Sequence, residues 1–278
     1  MVFSAPARTN RLLAELSDTE WLRWQPWLER GDLPRGRVLA EAGRTPSHAW
    51  FPTTAIVSLL YMLEDGHSTE IAMVGMEGVV GVALFLGGGS TISQAVVQSA
   101  GQGYRISASA IRDAFRLGDS VQRLFLRYAQ ALISQTGQTA ACNRHHSIQQ
   151  QLCRRLLLTL DRQPHYDLET THEGIADMLG VRREGVTEAA HVLQSAGLIR
   201  CTRGHLTVLD RRGLAQRSCE CYAVVKQEYD RLLGPPELAG GDITAPAWPA
   251  LLAARSHATA PGRSAHARVS VHASTAVP

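Results

Sequence analysis

The first 141 residues contain no cysteine, and the five that follow are Cys142, Cys153, Cys201, Cys219 and Cys221. An odd, late-placed set does not describe a disulfide-stapled scaffold. With no secretory signal evident at the start, a reducing cytoplasm with free thiols is expected. Long apolar runs are also missing. Thr54 to Leu63 is apolar but falls well short of the ~18 residues of a membrane span, and Glu64-Asp65-Gly66 ends it. No membrane partner is expected. Charge of one sign is scarce, the formal net charge being only +3, so any nucleic-acid contact must come from a local patch. Catalytic signatures are lacking too. No Gly-x-Ser-x-Gly elbow, Walker loop or His-Glu-x-x-His occurs, and no paired acids stand out. The chain is therefore expected not to be an enzyme, with no catalytic residues and no cofactor.

What is present is enough apolar residue, 45% of 278, to build a real core. Residues 11–30 carry a short helical pattern, and Ser17-Asp18-x-Glu20 has the form of a capping box. From about 33 to 108, short apolar runs alternate with Gly, Pro and Asp, which reads as many short strands. Asp65-Gly66 between Ile56–Met62 and Glu70–Val74 favours a hairpin, and Gly101-Gln102-Gly103 is expected to form another. An antiparallel sandwich or barrel follows from this spacing. Val121, Leu124, Phe125, Tyr128, Leu132 and Ile133 then recur at three- and four-residue steps, marking a long amphipathic helix. Ile148, Leu152, Leu156, Leu157 and Leu160 mark the next, with Arg154-Arg155 expected on its exposed face. Trp21, Trp24 and Trp27 are expected to dock on the sheet. Beyond about Gly234 the chain is rich in Ala, Pro, Ser, Gly and His and reads as disordered.

The informative stretch runs from Thr170 to Gly197. Thr170-x-x-Glu173 can cap a helix bearing Ile175, Ala176 and Leu179 on one side. Gly180 falls where that helix must stop, and Val181 can fill the angle. A second helix starts near Arg182 with Val186, Ala189, Ala190 and Leu193 inward, ending at Gly197. This is the pattern of a helix-turn-helix. Its exposed start carries Arg182, Arg183, Glu184 and Thr187. An arginine can donate twice to guanine and a glutamate can accept from cytosine N4. Thr171 and His172 stand at a helix N-terminus, where a phosphate is attracted. Leu198–Arg200 and Leu206–Leu209 bracket Arg203-Gly204, a wing whose tip can place Arg203 near a phosphate. Candidate DNA-binding residues are thus Thr171, His172, Arg182, Arg183, Glu184, Thr187 and Arg203.

Over roughly residues 11–230 the sequence resembles the Crp/Fnr family of bacterial transcription regulators. Leu179-Gly180-Val181-Arg182-Arg183-Glu184-Gly185-Val186-Thr187 is similar to the family's recognition segment, and Phe51-Pro52 and Gly75-x-Glu77-Gly78 agree with it upstream. The resemblance implies an α+β fold: an N-terminal antiparallel jelly roll of the cyclic-nucleotide-binding type over 11–117, a long dimerisation helix over 118–144, and a C-terminal winged helix over 145–230. A disordered tail at 235–278 follows. It places Arg183 and Glu184 in base-reading positions, while Glu188 replaces a further recognition-helix arginine common in the family. It also implies a homodimer on a palindromic double-stranded operator, with RNA polymerase a candidate further partner.

Cyclic-nucleotide-binding members use an acidic residue on the ribose and an arginine on the phosphate. Gly81 to Ala95 contains neither arginine nor glutamate. A phosphate without a guanidinium loses its best hydrogen bonds, so a response to cAMP is not expected. The alternative is a regulator gated by another nucleotide, such as a cyclic dinucleotide. Gly87-Gly88-Gly89 is read as a turn and Arg105 as facing solvent. Cys219 and Cys221 are read as free, buried thiols, and His145-His146 as solvated or capping, so no metal ligand is assigned.

Overall fold

The computed structural model describes residues 6–116, 120–163 and 165–234. The expected disordered tail, 235–278, lies outside them. Helix α1 (Arg11–Ala14) is capped by Asn10, whose side chain accepts from Leu12 N and Leu13 N. The Asn10 amide also donates to Pro52 O at 2.9 Å and Gly78 O at 2.8 Å, fastening the N-terminal helices to the sheets. The Ser17–Glu20 capping box opens α2 (Asp18–Trp24) as expected.

Seven strands follow: β1 (Glu29–Leu33), β2 (Val38–Ala40), β3 (His48–Pro52), β4 (Ile56–Met62), β5 (Ser68–Val74), β6 (Ser93–Ser99) and β7 (Gly101–Ser107). They form two antiparallel sheets, in the orders β1-β7-β3 and β2-β6-β4-β5. The hairpin at Asp65-Gly66 is present, with Gly66 at φ +85°, the left-handed conformation a tight turn needs. The expected hairpin at Gly101–Gly103 is not. Those residues lie within β7, which pairs with β1 and β3, whereas β6 pairs with β2 and β4, so the chain changes sheet at Ala100. Glycine is required there for a different reason. A Cβ on Gly101 would stand 2.5 Å from Ala55 N, and one on Gly103 2.9 Å from Phe51 O.

The short α3 (Ala83–Leu86) leads into the glycine turn, with Gly87 and Gly89 at positive φ. Next come α4 (Ala108–Arg116) and the long α5 (Ser120–His145). The buried side of α5 carries Val121, Leu124, Phe125, Tyr128 and Leu132. Phe125 sits among Trp24, Phe51 and Phe85, with its ring centroid 5.1–6.1 Å from theirs. Such pairs add roughly 0.5–1.5 kcal/mol each beyond area burial. Ile133, expected on this inward stripe, is instead 68% exposed. It belongs to an outward row, Leu126, Gln130, Ile133, Gly137, Ala140 and Arg144, spaced alternately by four and three residues. Of Trp21, Trp24 and Trp27, only Trp24 is buried; Trp27 is exposed.

The remainder is α6 (Ile148–Leu160), β8 (Asp167–Glu169), α7 (His172–Leu179), α8 (Arg183–Ser195), β9 (Ile199–Thr202), β10 (His205–Val208), α9 (Arg211–Arg217) and α10 (Glu220–Leu233). Leu152, Leu156, Leu157, Ile175, Val186, Leu193, Leu206 and Leu214 share one core beneath the three-stranded sheet β8-β10-β9. Helix α10 turns back along α5 and gives Val225, Tyr229, Leu232 and Leu233 to the N-terminal core.

Arg154 and Arg155 are not on an exposed face. Both are buried, because α6 lies against the sandwich. Arg155 pairs with Glu70, which also accepts from Ser58, and Arg154 donates to Thr139 Oγ1 at 3.0 Å. Just past the end of α6, Arg162 Nε donates to Glu77 Oε1 at 2.7 Å, Nη2 to Gln135 Oε1 at 3.0 Å and Nη1 to Leu158 O at 2.8 Å. These buried pairs join sheet, long helix and C-terminal unit.

Candidate nucleic-acid interface

Helix α7 is capped by Thr171, whose hydroxyl accepts from Gly174 N at 3.0 Å. The expected cap, Thr170, lies one residue early; its backbone N donates to Gly204 O across to the wing, and its Oγ1 is buried without a partner. Gly180 ends α7 at φ +66°. A side chain there would strain the backbone and put its Cβ 2.8 Å from Thr69 Oγ1 on β5. The turn therefore docks on the β4–β5 hairpin. Val181 packs against the lower core, as expected.

Val186, Ala189, Ala190 and Leu193 fix the inner face of α8. Arg182, at its N-cap, and Arg183, Glu184 and Thr187 are consequently exposed together at its start. His172 Nδ1 lies 3.1 Å from Thr187 Oγ1, which itself donates to Arg183 O at 3.0 Å. Thr171, His172, Arg182, Arg183, Glu184 and Thr187 thus cluster around the two helix starts, while Arg203 stands exposed at the wing turn, where Gly204 takes φ +82°.

One member of this face was missed. Glu173 Oε2 is 3.6 Å from Arg183 Nε, with both side chains about two-thirds exposed (62% and 65%). A pair so exposed is worth on the order of 0–1 kcal/mol, so a stronger acceptor can displace it. The wing also has a third strand, β8, which the sequence reading omitted. Thr207 Oγ1 on β10 donates to Asp167 Oδ1 on β8 at 2.8 Å.

A small cavity of about 30 Å³ lies between the two sheets and α5, lined by residues such as Leu59, Val79, Val82, Ala95 and Leu132 with Thr91 and Ser93. That is room for a water or two. Arg105 lies outside it, paired with Glu29 at 2.6 Å and 5.8 Å from the Trp50 ring centroid.

A different set of chemically active side chains does converge. Cys142, His146, Cys219 and Cys221 lie together where α5 meets the start of α10. From sequence, Cys219-x-Cys221 reads as free buried thiols and His145-His146 beside Cys142 as solvated or capping, and nothing in the spacing joins the two groups. Cys201 is not among them, and burial pushes the Cys153 thiol, elsewhere in the lower core, up to about 11.

A two-sheet sandwich, a long helix with an outward row of regular spacing, and a winged helix-turn-helix define a two-part protein built around a DNA-reading type of unit. Residues 150–217 match the Crp-like helix-turn-helix domain. Over up to 74% of the chain the fold is similar to that of solved Crp/Fnr structures. A transcriptional regulator assigned to that family from Eubacterium rectale superposes with a TM-score of 0.59 at 16% identity, covering 74% of this chain and 96% of its own. FixK2 from Bradyrhizobium japonicum gives 0.57 at 15%, covering 69% and 98%. The c-di-GMP-responsive regulator CLP from Xanthomonas campestris gives 0.53 at 16%, covering 68% and 97%. No curated protein matches the chain in sequence. The C-terminal segment thus matches a Crp-like helix-turn-helix domain, and the fold as a whole is similar to that of solved Crp/Fnr structures.

Proposed function

We propose that the chain is a homodimeric, sequence-specific transcription regulator that reads duplex DNA through the start of α8. The observation that carries this is the shared exposure of Arg182, Arg183, Glu184 and Thr187 on a helix whose other face is fully buried. Glu184 and Thr187 complete the polar set that base edges require, and Arg183 can donate twice to a guanine. Thr171, His172 and Arg203 flank that set and serve phosphates, which set register rather than sequence.

Dimerisation runs through the outward row of α5. Leu126, Ile133 and Ala140 repeat at seven residues, as do Gln130, Gly137 and Arg144, the spacing of a coiled-coil seam. A Cβ on Gly137 would meet nothing within 4 Å in the single chain, leaving room for a second helix to approach closely. A two-fold axis along this seam supports a palindromic operator with half-sites ~34 Å apart.

We infer no response to cAMP. The 30 Å³ cavity is far below the ~300–1,000 Å³ of a small-molecule site, and no arginine or glutamate lines it. The same limits apply to a cyclic dinucleotide placed between sheet and α5. Selection of bound fragments from a random duplex pool tests the main reading. Enrichment of a two-fold symmetric motif supports it; recovery of unenriched sequence, with the chain dimeric and folded, refutes it.

A further inference from the structure

We propose that Cys142, His146, Cys219 and Cys221 form a mononuclear Cys₃His site for zinc or a similarly thiophilic divalent metal, tying the end of α5 to the start of α10. The donor atoms of all four lie within 4.8 Å of one another. The three cysteines are buried, and the His146 side chain is only 18% exposed. Cys142 and His146 are one helical turn apart, with His146 N donating to Cys142 O at 3.0 Å, so both face the same way. Cys219 is the N-cap of α10 and Cys221 lies in its first turn, where backbone N–H groups favour thiolate.

The spacing suits a tetrahedron. Zinc–sulfur bonds of ~2.3 Å and zinc–nitrogen bonds of ~2.0 Å put neighbouring sulfurs about 3.8 Å apart, and sulfur and nitrogen about 3.5 Å. Cys142 Sγ and Cys219 Sγ are 3.6 Å apart, and Cys221 Sγ and His146 Nδ1 are 3.4 Å apart. All four positions of a closed structural site are filled by the chain itself. A disulfide would use only two of these donors and leave a thiol and an imidazole beside it.

The surroundings supply what such a site needs from its second layer. Glu220 Oε2 stands 3.4 Å from His146 Nε2, the carboxylate–imidazole arrangement that turns the other ring nitrogen, Nδ1, toward a metal. Gln138 Nε2 donates to Cys221 Sγ at 3.0 Å, and Gln151 Nε2 holds His146 O at 2.9 Å. Buried Arg154 interacts electrostatically with all three thiols, offsetting the single negative charge left by three thiolates and a divalent ion. Binding forms three metal–sulfur bonds and one metal–nitrogen bond, and the three thiol protons leave to solvent.

The test is cobalt titration of the full-length, reduced protein, followed by displacement with zinc. The expected result is one equivalent of Co²⁺ per chain, with the intense visible bands of a tetrahedral thiolate complex. Zinc should erase them. Cys219→Ser should abolish those bands, whereas Cys153→Ser and Cys201→Ser should leave them intact. Glu220→Gln, which keeps every ligand, should weaken affinity about 10–100-fold, and this arm stands even where Cys219→Ser does not fold. A weak octahedral spectrum, binding well below one equivalent, an iron–sulfur chromophore in the purified protein or unchanged affinity in Glu220→Gln would overturn the assignment.

Discussion

Replacing Glu77 by leucine strands the buried guanidinium of Arg162. Arg162 and Glu77 are 5% and 9% exposed in their side chains, and Glu77 Oε1 receives both Arg162 Nε at 2.7 Å and Gly75 N at 3.2 Å. Without the carboxylate, Arg162 keeps the Leu158 carbonyl and the Gln135 amide oxygen as acceptors but loses its ion-pair partner. Removing one partner of a buried pair costs about 3–5 kcal/mol, since a desolvated charge is left without its counterion. For a chain of this size that is a fall of about 6–20 °C in Tm. The double variant Glu77→Leu, Arg162→Met removes the charge as well. Gly75 N loses its acceptor in both variants, so the difference between them isolates the electrostatic part. Urea unfolding at fixed protein concentration, with unchanged m, measures it. The reasoning fails if Glu77→Leu costs less than about 1 kcal/mol, or if the double variant is no more stable than the single.

Two further perturbations address the proposed dimer seam and the docking of the turn. Ile133→Glu puts a charge on the seam without touching either core; sedimentation should show a shift to monomer and operator affinity should fall by more than tenfold, with the chain's circular dichroism unchanged. Gly180→Val forces a β-branched residue into the left-handed region and against Thr69, and should lower stability by roughly 2 kcal/mol or more, read as a drop in the thermal midpoint.

The local grammar of the sequence carried most of the fold. Gly66 and Gly204 marked their hairpin turns because positive φ is cheap only for glycine, and the period-3.6 runs of α5, α6 and α8 are read without tertiary knowledge. What was illegible depends on distant partners. Arg154 and Arg155 look solvated because an arginine on a helix usually is; Glu70, which buries Arg155, lies 85 residues away, as Glu77 does from Arg162. Gly101–Gly103 looked like a hairpin because glycine permits a turn, but it also permits close strand crossing, and the sequence does not distinguish the two. Ile133 is apolar yet 68% exposed, and its place in the three- and four-residue run does not reveal that.

The candidate site divides in the same way. The exposed set Arg182, Arg183, Glu184 and Thr187 was legible because it is contiguous and its helix has one inward face. The Cys₃His cluster was not, because Cys142 and Cys219 stand 77 residues apart and meet only when α10 folds back on α5. A signal was available in Cys142-x-x-x-His146, a one-turn spacing, together with Cys219-x-Cys221.

Whether the start of α8 discriminates base pairs is tested most directly by measuring the affinity of the wild type and of Arg183→Ala for the selected operator and its single-base-pair substitutions, at one salt concentration. The variant should lose about 1–3 kcal/mol on the best site and become indifferent to substitution at one symmetry-related pair of positions, keeping its preference elsewhere. An identical substitution profile for the two proteins would contradict that role for Arg183 and, with it, the proposed reading of DNA.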